Sequence, residues 1–250
     1  MGAIDPARRI VRLTRAELAA ATALAGAGRP GAGPDQPADL EELVRAGIVV
    51  GGSLHPAVAQ VVAVVSGAQL LLTLETWAAG TVVVHRAWAT PELAVVGRSV
   101  AADVVEYTAT DLVSVPFFLA ALVGLGRRPV SGPSGPLRAS PAALDAAGAL
   151  VDEGDTGRAR EALVADGVPT DQAATLVDVL ARRRVSWRAV STWAGPAGEV
   201  GSRSVTVVDA AESGLWLCRP GGPEGGSDAG AEPPLVLTPM APSQAWQELT

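Results

Sequence analysis

The side chains able to do chemistry in this chain are few and scattered. Its 250 residues include two histidines, His55 and His85, one cysteine, Cys218, and one tyrosine, Tyr107, with no lysine and no asparagine. General acid–base work, covalent catalysis and metal binding draw most on His, Cys, Lys and clustered carboxylates. A nucleophile and its base must be brought together, and spacing pairs none of these candidates. His55 precedes Pro56 at a predicted helix start, the place of a cap or turn residue. His85 falls in a predicted strand on the side of Val83 and Ala87, as a packed or edge histidine does. Asp103 and Glu106 point to opposite faces if both lie in one strand. Asp152, Glu153 and Asp155 surround a helix boundary without calcium-loop spacing. A phosphate loop needs its Lys, which this chain lacks. The expectation is no catalytic residue, no metal site and no cofactor.

Composition narrows the remaining classes. The chain is 48% hydrophobic and only 4% aromatic, so a core of Ala, Val and Leu is expected. Net charge is −7, whereas a nucleic-acid binder gathers positive charge on one face. The densest basic run, Arg182-Arg183-Arg184, ends a predicted helix, where cations complement the helix dipole. One cysteine permits no internal disulfide and fits a reducing compartment. Cys218 sits in a predicted strand as a small buried hydrophobe. The segment Met1-Gly2-Ala3-Ile4-Asp5-Pro6 lacks a signal-peptide layout. The longest apolar stretch, 61–74, is too short to span a bilayer. A cytoplasmic protein without membrane insertion and without a nucleic-acid partner is expected.

Three Gly/Pro-rich stretches, 26–37, 124–140 and 220–234, divide the chain, the last reading as a disordered loop inside a sheet. Thr14 and Glu17 form a capping box, flanked by Leu13 and Leu18, for a helix to about residue 25. Further helices are predicted at 38–46 and from Pro56 to 65. Alternating and β-branched runs predict four strands at 68–77, 81–88, 93–98 and 102–108. Thr110-Asp111 caps the next helix, in which Pro116 marks a first turn or a kink. Ser140-Pro141, Asp155 and Thr170 start three more helices. Strands follow at 185–193, 200–209, 214–219 and 235–238. Thr238-Pro239 then caps a closing helix, unless Pro242 moves its start.

The order of helices, four strands and a helix thus occurs twice. It predicts an α+β fold: a central antiparallel sheet with flanking helices, in two pseudo-two-fold related halves. The first half spans 1–126, a linker 127–139 and the second half 140–250, together forming one compact domain.

The residues also carry a family resemblance. The Leu13-Thr14-x-x-Glu17-Leu18 opening and the Arg45-Ala46-Gly47-Ile48-Val49 segment leading to Gly52-Ser53-Leu54-His55-Pro56 resemble the EspG family. These are type VII (ESX) secretion-associated proteins of actinobacteria. The close at Leu122-Val123-Gly124-Leu125-Gly126 is similar to that family's mid-chain helix end. Gly214-Leu215-Trp216-Leu217, then Leu235-Val236-Leu237-Thr238-Pro239, resemble its final stretch. The resemblance runs from roughly residue 10 to the end and rests on order and spacing, since no single motif is specific. It implies a cytosolic, non-enzymatic chaperone that covers the apolar tip of a helical-hairpin secretion substrate, PE–PPE pairs in mycobacteria. The Gly-rich insertion before the last strand departs from the family, so the client stays open.

A chaperone of this kind needs an apolar patch of its own, because exposed apolar tips self-associate. Trp is enriched at interface hot spots and loops on a rigid sheet carry binding residues. Trp77, beside the first hairpin turn, and Trp88, Pro91 and Leu93, at the next strand end, are the candidate partner contacts. The third helix of the second half is a candidate flank. Packing in the core is the competing role of each Trp. A non-enzymatic ligand-binding or sensor module built on an antiparallel sheet is the alternative function.

Overall fold

The computed structural model describes residues 3–5, 8–27, 40–78, 80–126, 135–221 and 233–249. Most of the three Gly/Pro-rich stretches, including the expected disordered loop, lies outside the described residues. In chain order the elements are β1 (Ala3–Asp5), β2 (Ile10–Thr14), α1 (Arg15–Ala27), α2 (Leu40–Arg45), β3 (Val49–Val50), β4 (Ser53–Leu54) and α3 (Pro56–Gly67). The strands β5 (Leu70–Ala78), β6 (Thr81–Ala89), β7 (Ala94–Ser99) and β8 (Val104–Thr110) follow, with a 3-10 turn and α4 (Val115–Leu122). Next come β9 (Leu137–Ala139), α5 (Pro141–Asp152), α6 (Thr156–Ala165) and α7 (Thr170–Ala181). The chain closes with β10 (Val185–Ala194), β11 (Val200–Asp209), β12 (Leu215–Pro220), β13 (Leu235–Met240) and α8 (Pro242–Leu249).

Side-chain caps start the helices where the sequence places them. At α1 the Glu17 amide donates to Thr14 Oγ1 (3.0 Å) while the Thr14 amide donates to Glu17 Oε2 (2.7 Å), the reciprocal box. His55 is the cap of α3, its Nδ1 accepting from the Ala57 amide at 3.2 Å. Ser140 Oγ accepts from the Ala143 amide (3.1 Å), and Asp155 Oδ1 from the Arg158 amide (3.0 Å). Asp111 caps the 3-10 turn through the Ser114 amide (2.7 Å), which puts Pro116 in the first turn of α4. There its missing N–H breaks no helical bond.

Two predicted starts are corrected. Thr170 is the first residue of α7, and Pro169 holds the cap position without a side-chain bond. Thr238 and Pro239 do not cap the last helix; they continue β13, paired with Leu217 and Trp216. The sequence reading also lacked β1, β2, β9 and the β3–β4 ribbon. β9 occupies the end of the expected linker 127–139, whose residues 127–134 lie outside the described set.

The main sheet has strand order β1-β2-β8-β7-β6-β5-β10-β11-β12-β13-β9 among the described residues. It is a large antiparallel sheet, as expected. β2 pairs with β8 through Val11↔Tyr107 and Leu13↔Val105, and β9 pairs with β13 through Leu137↔Leu237. Each is therefore an added strand on the last strand of its four-strand meander.

Two compact units divide the chain. The first comprises Met1–Glu75, Val83–Phe118 and Val190–Arg203. Its core joins α1 and α3 to β2, β7 and β8 through Leu13, Ala21, Val58, Val61, Val95 and Tyr107. The second comprises Thr76–Val82, Leu119–Ala189 and Ser204–Thr250. There α5, α6 and α7 pack on one another around Ala147, Ala159, Leu163, Leu176 and Leu180, with Trp216 and Leu237 from the strands beneath. Burying Trp and Leu side chains of this kind contributes about 1.5–3 kcal/mol each.

Candidate functional site

The chemistry-bearing side chains are committed to structure. His85 is buried, and its Nδ1 accepts the Ser99 amide proton at 3.2 Å. Burial, helped by the nearby Arg98 charge, lowers its pKa below the usual histidine range. Glu106, also buried, accepts from Arg12 Nε at 2.9 Å and from Arg98 Nη2 at 2.8 Å. Cys218 is half-buried against the core of the second unit, and burial pushes its thiol up. Among the described residues no group of three His, Cys, Asp or Glu is placed to hold a metal ion.

The arginine run is more than a solvated helix end. Arg182 Nε donates to Asp178 Oδ1 at 2.6 Å, and Arg183 Nη2 to Asp152 at 2.9 Å. Arg184 donates through Nη2 (2.5 Å) and Nε (3.2 Å) to Asp209, which is 2% exposed. The Arg184 amide also donates to the Asp209 carbonyl at 2.8 Å. The run thereby locks the end of α7 to α5 and to the end of β11.

These ties form one wall of the broadest cavity described in the second unit, a groove of about 920 Å³. Trp77 and Val82, on the β5–β6 hairpin, line one side. Val151 and Asp152 from α5, Leu180 and Ala181 from α7, and Arg183, Arg184 and Ser186 line the rest. Gly80, at φ +72°, supplies the left-handed backbone the hairpin turn requires. Val82 is 55% exposed and Trp77 is half-buried, so the groove keeps apolar surface in water. The groove therefore sets ion pairs beside open apolar side chains, a mixed lining of apolar and charged groups.

The four residues singled out from the sequence fall into two places. Trp77 lines the groove, together with the end of α7, the helix named as a flank. Trp88, Pro91 and Leu93 belong to the first unit. Trp88 and Leu93 are half-buried and pack on its core, with the Trp88 ring 6.0 Å from that of Tyr107. Pro91 is exposed on a turn closed by the Thr90 amide to the Leu93 carbonyl (2.9 Å) and by the Leu93 amide to Thr90 Oγ1 (3.2 Å). Sequence reasoning missed Val82, Val151 and Arg183. Val82 carried a signal, an apolar side chain two positions past the turn glycine Gly80; the others carried none.

Comparisons with known proteins agree with this picture. The model of the EspG family matches residues 36–235. No curated protein matches the chain. Among solved structures, the fold is similar to the Mycobacterium tuberculosis type VII secretion system chaperone EspG5, solved in complex with a PE25-PPE41 dimer. That match has a TM-score of 0.61 and 14% identity, covering 96% of this chain and 94% of that one. With a family model matching most of its length, this chain belongs to the EspG family.

Proposed function

We propose that this protein is a cytoplasmic, non-enzymatic chaperone of a type VII secretion system. It binds a helical-hairpin client, PE–PPE-like or related, keeps it soluble and directs it to its secretion system. Family membership supports the class, and the PE25-PPE41 dimer held by the similar EspG5 supports the kind of client. The observation that carries the reading in this chain is the groove of the second unit, where Trp77 and Val82 keep surface in water beside Asp152, Arg183 and Arg184. A hairpin tip with exposed apolar residues finds apolar contacts there in Trp77, Val82, Val151 and Leu180, and its polar flank meets Asp152, Arg183 and Arg184. Among the described residues no helix is long and apolar enough to cross a membrane, in keeping with this role.

Trp77 is the principal client contact in this reading. Pro91 offers an exposed ring on a rigid turn, with Trp88 and Leu93 supporting it from below. The repeated strand order supports reading 1–126 and 140–250 as two copies of one ancestral unit.

The test is co-expression with helical secretion substrates encoded beside this gene, followed by size exclusion and calorimetry. A one-to-one complex is expected, with Trp77→Ala weakening it by about 30-fold or more, the cost of a hot-spot Trp. No complex with any such neighbour, or full affinity in Trp77→Ala, would count against the reading.

A further inference from the structure

The first unit holds a second, much smaller cavity of about 100 Å³, between the first turns of α1 and the strands β6, β7 and β8. Leu18, Trp88 and Val105 give it apolar walls, and Arg15, Arg86 and Tyr107 also line it. Gly97 keeps it open. A Cβ there would stand 3.0 Å from the Trp88 ring, 3.1 Å from Val105 and 3.3 Å from Tyr107.

Three features make this more than a packing gap. Arg15 and Arg86 are exposed, and among the described residues neither has a carboxylate within ion-pair distance, in a chain whose net charge is −7. The Tyr107 residue is 2% exposed, yet its hydroxyl has no hydrogen-bond partner among the described residues. No fully enclosed side-chain polar atom lacks a partner among the described residues, so that hydroxyl keeps some accessible surface on a residue that lines the cavity. Burial pushes the phenol up to about 12, against the opposing pull of the Arg86 and Arg15 charges. It is therefore a protonated donor at neutral pH, and both guanidinium charges are near enough to act on it.

We propose that this cavity binds a short-chain carboxylate. The alkyl body packs against Leu18, Trp88 and Val105, and the carboxylate takes donors from Arg15, Arg86 and the Tyr107 hydroxyl. Size sets the body. An apolar cavity of about 150 Å³ accepts benzene, so the smaller space here takes a body of about three carbons, with the carboxylate outside it among the exposed arginines. Guanidinium forks match a carboxylate's two oxygens. The apolar walls favour a carboxylate with a hydrocarbon body over inorganic phosphate. The same chemistry is offered by a free short-chain acid and by the C-terminal residue of a peptide. This site is independent of the chaperone reading, and failure of client binding would leave it standing.

The test follows the Gly97 amide and Trp88 indole signals by NMR, with calorimetry, on the full chain at low salt. Butyrate should shift both signals saturably with a Kd of about a millimolar, as a ligand of so few atoms allows. Arg86→Gln and Arg15→Gln, separately, should each weaken it about tenfold or more. N-acetylvaline binding as tightly as butyrate would support the peptide source; butyrate binding alone would support the free acid. Equal binding of butyramide, equal binding of inorganic phosphate, or no butyrate-dependent shift up to about 20 mM would overturn the proposal. So would unchanged affinity in both arginine variants.

Discussion

Glu106→Gln tests how the sheet of the first unit is held together. Cross-strand register places Arg12, Glu106 and Arg98 in one row across β2, β8 and β7. Arg12 reaches the carboxylate with Nε at 2.9 Å and Nη2 at 2.8 Å, and Arg98 with Nη2 at 2.8 Å. Glutamine keeps one acceptor oxygen and turns an N–H₂ toward a guanidinium, so one of the two arginines loses its partner. Hydrogen bonds to charged groups contribute about 1.5–3 kcal/mol. The arginine side chains are 53% and 51% exposed, so solvent screens the pair and the lower part of that range applies, about 2 kcal/mol. In a chain of this length that is a fall in Tm of about 4–8 °C. Burial alone would push the Glu106 carboxyl up, but the hydrogen bonds from Arg12 and Arg98 outweigh it and hold the pKa below the usual value of 4.5. A carboxyl depressed in the native state gives stability that is present above its unfolded pKa and lost as pH falls through the native one. Urea unfolding followed by Trp fluorescence should therefore show the full gap between wild type and variant at pH 7. The gap should shrink below about pH 4.5. A gap that stays constant from pH 7 to pH 3, or a variant more stable at pH 7, would refute the reasoning.

Other perturbations have distinct signatures. Arg184→Met removes both guanidinium bonds from the buried Asp209 and should cost about 3 kcal/mol in denaturant unfolding. Asp209→Asn, which removes the buried charge itself, should cost less. Thr14→Ala opens the capping box and should cost about 1 kcal/mol, with Thr14→Ser near wild type by thermal melt. Gly97→Ala forces the Trp88 and Tyr107 rings apart and should cost about 1–3 kcal/mol, read by the same melt.

What the sequence revealed and what it hid have separate physical causes. Capping boxes and period-2 runs are local, so α1, α3, α5, α6 and the eight meander strands were legible within a few residues. β9 was not, because three residues carry no measurable alternation and its partner among the described residues, β13, lies about 100 positions away. β2 was hidden because Ile10 to Leu13 also serves as the approach to a capping box. Pro239 misled in an instructive way. β9 pairs β13 only at residues 235–237, so at Pro239 the register gives a neighbour on one side alone, Trp216 of β12. A proline is tolerated where its missing N–H faces no ladder. The groove was illegible for another reason: residues 77–82, 151–152 and 180–186 meet only in the folded second unit. Trp77 could be singled out by type; its neighbours could not.

Reading outward from β5, the strand order is β5-β6-β7-β8-β2; from β10 it is β10-β11-β12-β13-β9. The same order recurs, and the chemistry of a ladder lets it do so without asking for the same residues. Antiparallel pairing uses backbone donors and acceptors, and asks of side chains only alternation between faces. An open last strand would be a template for further pairing. β2 and β9 cover those strands, and their partners β8 and β13 are the meander strands that would otherwise be edges. Constraint therefore falls on the ladder, and the side chains above it are free to diverge. The first unit carries the Arg12–Glu106–Arg98 row and a small cavity lined by arginines; the second carries three packed helices and an open groove of mixed apolar and charged lining. Recognition in this molecule is to be sought where the two repeats of the strand order differ, because those are the positions the sheet itself does not dictate.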